Sequence, residues 1–126
     1  MEKRIINTAN APAPIGPYNQ AIIIDDILYI SGQVCIDPVT NNLKNKDLQE
    51  EVHQVMANLK AILQAAGLTF NNAVKTTIFL IDMNRFGEVN DIYGKYFEGD
   101  YPTRETVQVS ALPKFVNVEI SMIAAR

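Results

Sequence analysis

The segment 47-DLQEEVHQVMANLKAILQAAG-67 decides the fold class, because the spacing of the apolar residues changes there from that of strands to that of a helix. Its apolar residues recur at steps of three and four and share one helical stripe: Leu48, Val52, Val55, Leu59, Ile62 and Ala66. Asp47 and Glu50 have the spacing of a capping box, and Gly67 is a typical helix stop. The pattern predicts a long amphipathic helix over residues 47–66, roughly 30 Å in length.

The residues before this helix favour β-strands. Segments 21–24 and 27–31 are rich in β-branched and aromatic residues, and they flank Asp25-Asp26 at a spacing that suits a tight hairpin. Asp-Asp is a less favoured turn pair than Asn-Gly, so the turn type stays open. A further short strand is predicted over residues 4–6, and residues 37–42 form a turn-rich loop.

The residues after the helix predict a strand and a second helix. Residues 73–81 alternate in polarity and are rich in β-branched residues, which is typical of a buried strand. The second helix is predicted from about Asn84 to Gly99, with an inward stripe formed by Phe86, Val89, Tyr93 and Phe97. Asn90 falls on the same face, where a polar amide needs partners. It either ties down a loop or contacts a ligand, and the pattern alone favours neither.

Two final strands are predicted over residues 105–109 and 116–124. Alternation divides the second between two faces: Val118, Ile120 and Met122 on one, and Asn117, Glu119 and Ser121 on the other. The resulting order, β-β-α-β-α-β-β with the short strand in addition, is an α+β plan in which two helices can cover only one face of the sheet. The other face therefore needs a partner.

Composition restricts the class of protein. With 126 residues and 48% hydrophobic content, the chain fits a single domain over residues 1–126. A net charge of -3, with no Lys/Arg run longer than Lys3-Arg4, argues against nucleic acid as a partner. Apolar runs such as 78–81 are too short to span a membrane, and residues 1–14 lack the apolar core of a signal peptide. We therefore expect a soluble, cytoplasmic protein. The single cysteine, Cys35, agrees with a reducing compartment.

Most of the common catalytic arrangements find no support. One histidine and one cysteine cannot form a His/Cys metal cluster, and His53 lies about 140° around the helix from the apolar stripe, toward solvent. Cys35 is more simply a small semi-buried hydrophobe than a nucleophile. Neither a GxGxxG nor a GxxxxGK[ST] motif is present, so nucleotide phosphates are not expected ligands. We expect no metal and no organic cofactor.

The segment 101-YPTRETVQV-109 carries the most suggestive charged group. Arg104 stands at the start of a strand, directly after a bend that Pro102 restricts. A guanidinium fixed inside a cleft would bind a carboxylate through two parallel hydrogen bonds, although most arginines are surface charges. Glu119 is a second candidate, with a solvated cross-strand charge as the alternative.

Five fragments together resemble one family. In order along the chain they are Gly16-Pro17-Tyr18, Ser31-Gly32-Gln33, Val89-Asn90, the Arg104 segment, and Leu112-Pro113-Lys114 before the strand of Glu119. Their order and spacing, over essentially the whole chain, resemble the Rid family of reactive intermediate imine deaminases. The resemblance implies the chorismate-mutase-like fold, in which a mixed sheet is covered on one face by two helices. It also implies a homotrimer, with the open faces packed together and ligand sites at the seams.

The resemblance implies a role for each site residue. Arg104 would bind the substrate carboxylate, and Glu119 would orient or deprotonate a water molecule. Tyr18, Ser31 and Asn90 match residues that line the pocket, beside the backbone of Gly32. Taken alone, Tyr18 could equally pack with its hydroxyl at the surface, and a serine at position 31 is often a turn former. Thr106 stands where a cysteine is common, which removes any role for a thiolate but leaves imine hydrolysis possible.

The implied reaction is the hydrolysis of 2-enamine and 2-imine acids, such as 2-aminoacrylate and 2-iminobutanoate, to 2-oxo acids and ammonia. An alternative is a non-catalytic, trimeric protein that binds or senses 2-oxo acids. Glu119 separates the two, because a carboxylate near a bound anion weakens binding but can accept a proton from water. RNA cleavage, ascribed to some relatives, conflicts with the acidic balance and the single histidine.

Overall fold

The secondary structure follows the predicted order. The computed structural model describes residues 2–126. Its strands are β1 (Lys3–Ile6), β2 (Ala21–Ile24), β3 (Ile27–Gln33), β4 (Ala73–Leu80), β5 (Thr103–Gln108) and β6 (Val118–Ala125), and its α-helices are α1 (Leu48–Ala65) and α2 (Phe86–Gly94). All six strands form one sheet in the order β1-β2-β3-β6-β4-β5. The pairs are antiparallel except β4 and β5, which are parallel and joined through α2. The α+β class and the mixed sheet are confirmed.

The first helix begins and ends where its sequence signals lie. The side chain of Asp47 accepts a hydrogen bond of 2.8 Å from the backbone N–H of Glu50. Glu50 accepts from the backbone of Lys46 instead of the capping residue, so only half of the predicted capping box forms. Gly67, with φ of 77°, turns the chain after the helix. His53 is exposed as predicted, and its ring nitrogen Nδ1 lies 2.6 Å from the hydroxyl of Tyr96.

The prediction for the second helix was too long at its C-terminus. Helix α2 ends at Gly94, after which the backbone N–H groups of residues 95–97 bond three residues back, as in a tight 3₁₀ turn. Phe97 nevertheless remains buried, because the turn packs its ring 4.9 Å from that of Tyr93. Gly99, with φ of 93°, lies in the following turn and does not end the helix.

Strand pairing decided the strand ends that the sequence placed inaccurately. Strand β5 begins at Thr103, two residues earlier than predicted, because its parallel partner β4 pairs with it from Lys75 onward. Strand β6 begins at Val118 and not at residue 116, because the preceding Lys114 and Phe115 both adopt φ of 57°. These left-handed residues turn the chain before it can enter the sheet.

The two faces of the sheet differ in what covers them. The core face carries the in-register row Ile6, Ala21, Ile30 and Met122, all buried in the cluster that includes the stripe of α1. The opposite face carries the adjacent row Ile5, Ile22, Tyr29 and Ile123. Ile5 and Tyr29 in this open row are each 49% exposed. Both helices therefore lie on one face, and the other presents an apolar row to solvent.

Candidate active site

A pocket beside the bend in β3 contains Glu119. It has a volume of about 380 Å³, and its polar lining includes Tyr18, Ser31 and Glu119. Apolar residues form the rest of its wall, among them Pro12, Ala13, Ile15, Val34, Ile36 and Pro113. A carboxylate in an otherwise mostly apolar pocket is the arrangement expected of a group that handles a proton.

Gly32 allows the carboxylate to occupy this position. The register between β3 and β6 shifts between Ile30 and Gln33, which marks an irregularity in the ladder beside Gly32. A Cβ atom on Gly32 would lie 2.7 Å from Oε2 of Glu119 and 2.8 Å from its carboxyl carbon. Only glycine leaves room for the carboxylate against the backbone here.

Partial burial changes the acidity of Glu119. The side chain is half-buried, and this burial raises the pKa of the Glu119 carboxyl above its ordinary value, because water no longer solvates the charge fully. A carboxylate with a raised pKa is a better proton acceptor than an exposed one. Glu119 and Tyr18 are the only titratable residues in the lining of this pocket.

The other polar groups of the pocket differ in how freely they could meet a ligand. The hydroxyl of Ser31 donates a hydrogen bond of 2.6 Å to the backbone oxygen of Asn19, so it stabilises the neighbouring chain segment. Tyr18 is 48% exposed, and its hydroxyl accepts a weak hydrogen bond of 3.4 Å from the backbone of Ile15. The backbone of Gly32 and the ring of Tyr18 are therefore more accessible than the serine hydroxyl.

A second pocket, of about 440 Å³, contains Arg104. Its lining also includes Asn90, Tyr93, Tyr101 and Pro102. Nη1 of Arg104 donates a hydrogen bond of 2.7 Å to Oδ1 of Asn90. The guanidinium carbon lies 5.3 Å from the ring centroid of Phe86 and 5.4 Å from that of Tyr93, both within range of a cation–π interaction. Asn90 and the two rings fix one side of the guanidinium, which leaves its remaining N–H groups for an anion.

Sequence reasoning missed the support beneath Arg104. The hydroxyl of Thr76, which is fully buried on β4, lies 2.7 Å from that of Tyr93. Since the ring of Tyr93 lies under the guanidinium, Thr76 helps to hold the ring that Arg104 packs on. The sequence signal that could have revealed this support is Thr76 itself, a polar residue on the otherwise apolar core face of β4.

Thr106 lies on the same side of β5 as Arg104, two residues further along. Its side-chain oxygen is buried and has no hydrogen-bond partner within residues 2–126. Register pairs Thr106 with Ile78, a core residue beneath the helices. The hydroxyl of Thr106 is thus enclosed, with no partner among the described residues.

The two pockets lie on opposite faces of the sheet. In the ladder, Arg104 is paired with Thr76 on the core face, and its guanidinium packs on rings of α2. Glu119 is paired with Phe79, whose side chain alternates with the core residues Ile78 and Leu80. Tyr18, Ser31, Gly32 and Glu119 line one pocket and Asn90 and Arg104 line the other, and one chain does not bring the two pockets together.

Three further observations bear on other chemistries. Cys35 is fully buried, where the sequence predicted a semi-buried position, and burial raises the pKa of its thiol to about 11, so the thiol stays protonated at neutral pH. Within residues 2–126, no group of three or more His, Cys, Asp and Glu side chains is placed to hold a metal ion. In the same part of the chain, no helix has both the length and the apolar composition to cross a membrane.

Comparison with known proteins assigns the family. Residues 8–126 match the family described as Endoribonuclease L-PSP. A Mus musculus protein named 2-iminobutanoate/2-iminopropanoate deaminase is 51% identical over 124 residues, which cover 98% of this chain and 92% of the mouse protein. YyfA from Yersinia pestis, a protein of the conserved Rid family, matches with TM-score 0.96 and 49% identity over 99% of this chain and 100% of YyfA. E. coli TdcF, solved with bound serine, matches with TM-score 0.94 and 40% identity over 98% of each chain. The chain therefore belongs to the family described as Endoribonuclease L-PSP, the YjgF/Rid family.

Proposed function

We propose that this protein hydrolyses 2-imino acids and their enamine forms, such as 2-iminobutanoate and 2-aminoacrylate, to 2-oxo acids and ammonia. The observation that carries the proposal is the pair of complementary half-sites: a fixed guanidinium in one pocket and a carboxylate of raised pKa in the other. A 2-imino acid has a carboxylate that the guanidinium can bind. Beside it lies an electrophilic C=N carbon, which water activated by the Glu119 carboxylate can attack. The name of the mouse relative, at 51% identity, supports the same reaction.

The half-sites suggest how the reaction proceeds. Arg104 binds the substrate carboxylate, which orients the C=N carbon and removes much of the entropic cost of attack. Glu119 accepts a proton from a water molecule as the water oxygen bonds to that carbon. The C=N electrons move to nitrogen, and the protonated Glu119 donates its proton to that nitrogen, which gives the carbinolamine and restores the carboxylate. Glu119 then moves the hydroxyl proton of the carbinolamine to the nitrogen, the C–N bond breaks, and ammonia leaves the 2-oxo acid. Every proton in this sequence comes from water or from the carboxyl group, so no metal or organic cofactor is needed.

We further infer that each reaction site is assembled from two copies of the chain. Arg104 and Asn90 of one copy would meet Tyr18, Gly32 and Glu119 of the next, since the two sets lie on opposite faces of one sheet. The open row that includes Ile5 and Tyr29 supplies apolar surface for such an assembly. The homotrimer implied by the family resemblance accommodates both features. The buried thiol of Cys35 fits a reducing, cytoplasmic setting.

A second candidate is the binding of a 2-oxo acid or an amino acid without turnover. The structure of E. coli TdcF with bound serine favours it, because that ligand also carries a carboxylate. Glu119 argues against this candidate. A nearby negative charge weakens anion binding, and a protein that only binds its ligand has no use for a group that accepts a proton. The word endoribonuclease in the family description has little support from this chain, which has a net charge of -3 and one histidine.

One assay tests the proposal directly. A threonine dehydratase generates 2-iminobutanoate in solution, semicarbazide traps the imine that remains, and the trapped fraction is measured with and without this protein. We expect the protein to lower the trapped fraction and to accelerate the appearance of 2-oxobutanoate. An unchanged trapped fraction, together with saturable binding of 2-oxobutanoate, would reject hydrolysis and favour the binding protein.

A further inference from the structure

Glu51 holds the beginning of the strand that carries Glu119. It is fully buried on α1, and its carboxylate accepts three hydrogen bonds from the start of β6. Oε2 accepts from the backbone N–H of Asn117 at 2.7 Å and of Val118 at 2.9 Å, and Oε1 accepts from the side-chain amide of Asn117 at 2.8 Å. Val118 is the residue directly before Glu119.

This arrangement is costly, and the packing of α1 does not require it. A buried carboxylate is usually paired with a cation, yet the ion pairs found within residues 2–126 do not involve Glu51. Within residues 2–126, its oxygens instead accept hydrogen bonds from three N–H donors. Its neighbours in the stripe of α1 are apolar, so an apolar residue would pack there as well. The carboxylate therefore serves the two backbone N–H groups that it binds.

The other buried polar side chains within residues 2–126 bond to residues of the two pockets. Each of the remaining four forms a hydrogen bond to a residue that lines one of the two pockets: Gln20 to Pro12, Gln33 to Ser31, Asn58 to Val34 and Ile36, and Thr76 to Tyr93. Asn58 lies on α1 with Glu51, and both connect this helix to segments around the Glu119 pocket. Both pockets are thus contacted by buried polar side chains, although Gln20 also bonds to Thr8 and Ala11, which line neither pocket.

We propose that Glu51 is a positioning residue for Glu119, which acts by fixing the start of β6 against α1. Glu119 lies in close contact with Gly32, so a small displacement of β6 changes where the carboxylate points. This inference rests on the proposed function, because Glu119 matters only if it acts on the substrate. Glu51 should therefore affect turnover. It should not affect binding of the substrate carboxylate, because that is the role of Arg104.

Two substitutions of Glu51, each nearly equal in size to glutamate, distinguish loss of the hydrogen-bond acceptor from loss of the charge. Glu51→Met fills the same space but leaves both backbone N–H groups unpaired, and we expect kcat to fall about tenfold or more while KM stays within about twofold. Glu51→Gln keeps one oxygen for those N–H groups, and the amide of Asn117 can rotate to accept from the new NH₂ group. We expect Glu51→Gln to retain most of the wild-type kcat.

A second pair of variants keeps the test decisive if Glu51→Met does not fold. Asn117→Asp replaces the amide donor opposite Oε1 of Glu51 with a carboxylate, so wherever both groups are ionised this hydrogen bond is lost, the two carboxylates repel and the start of β6 moves away from α1. We expect kcat to fall again with little change in KM. Combining Asn117→Asp with Glu51→Gln restores a matched donor and acceptor, and kcat should recover.

The measurements are kcat and KM in the imine assay and Tm for every variant, with Ile62→Val on α1 as a control that lowers Tm without touching Glu51. Wild-type kcat in folded Glu51→Met and Asn117→Asp would overturn the proposal. So would a loss of kcat in Asn117→Asp that the double variant does not restore, or an equal loss in the Ile62→Val control. An inactive wild type would instead reject the proposed function and, with it, the role of Glu51.

Discussion

The carboxylate of Glu119 contacts the backbone of Gly32 so closely that no side chain fits between them: a Cβ atom on Gly32 would lie 2.7 Å from Oε2. Real Cβ atoms do not approach an oxygen this closely, so one of the two groups would have to move. The glycine therefore decides where the carboxylate of this half-site lies.

Gly32→Ala should displace the carboxylate of Glu119 and lower kcat about tenfold while the protein still folds. Gly87→Ala on α2 is the matched control, because a Cβ atom there meets nothing within 4 Å. The control should keep wild-type kcat and gain up to about 1 kcal/mol of stability from its higher helix propensity. Wild-type turnover in Gly32→Ala would show that the position of the Glu119 carboxylate does not matter.

Glu119→Gln should lower kcat roughly a hundredfold with a much smaller effect on the affinity for a 2-oxo acid, because an amide cannot accept the proton from water. The acid limb of the wild-type kcat/KM profile should lie above the ordinary pKa of a glutamate, since burial raises the pKa of Glu119. Normal turnover in Glu119→Gln would assign proton transfer to another group.

The same pKa shift has a consequence for stability. Because the folded chain binds this proton more tightly than the unfolded chain, Glu119 lowers stability progressively as the pH rises from the ordinary to the raised pKa. Glu119→Gln should therefore have a higher Tm than wild type at neutral pH, and the difference should vanish below about pH 4. Thermal unfolding across this range measures it, and an equal difference at all pH values would contradict the assignment.

Arg104→Lys should lower kcat/KM by about tenfold to a hundredfold, because lysine keeps the charge but loses the planar fork and its paired hydrogen bonds. It also loses the hydrogen bond of 2.7 Å to Asn90 that orients the guanidinium. The loss should include weaker binding of 2-oxobutanoate, measured by calorimetry. Unchanged affinity in the folded variant would mean that another group binds the carboxylate.

Mixing inactive chains tests whether a site comes from two copies. Arg104→Ala and Glu119→Gln chains, unfolded together and refolded, should regain up to about one quarter of the wild-type rate, because a quarter of the random interfaces carry both intact half-sites. Arg104→Ala mixed with Asn90→Ala should regain nothing, since both residues lie in one pocket. A monomer by light scattering, or rescue in both mixtures, would contradict this assembly.

Thr106→Val should raise the stability of the protein by about 1 kcal/mol, because it removes a buried hydroxyl that has no partner in the described chain. Thr76→Val is the matched control: its hydroxyl lies 2.7 Å from that of Tyr93, so the same substitution should lower stability. Denaturant unfolding measures both. Turnover in Thr106→Val should stay within about twofold of wild type, and a collapse would give the hydroxyl a role in the reaction.

The amino-acid sequence by itself determined the local structure. Periodicity and capping residues placed α1 to within one residue at each end, and the hairpin of β2 and β3 followed from two runs of β-branched residues around Asp25. These predictions succeeded because the signals lie within a few residues of the structure they specify. Helix α2 was overextended because an apolar residue at helical spacing, Phe97, is also buried by a tight turn.

Only the tertiary structure decided which candidate residues meet. Alternation along β6 predicted that Glu119 lies on the face opposite Val118, Ile120 and Met122, but the position of Arg104 depends on the parallel register of β5 with β4. That register brings together residues far apart in sequence, and no local pattern encodes it. The same is true of Glu51 in α1. Its three hydrogen-bond donors belong to Asn117 and Val118, which lie 66 and 67 residues further along the chain. Sequence predicts the chemical groups, whereas strand pairing decides the face of the sheet on which each one acts.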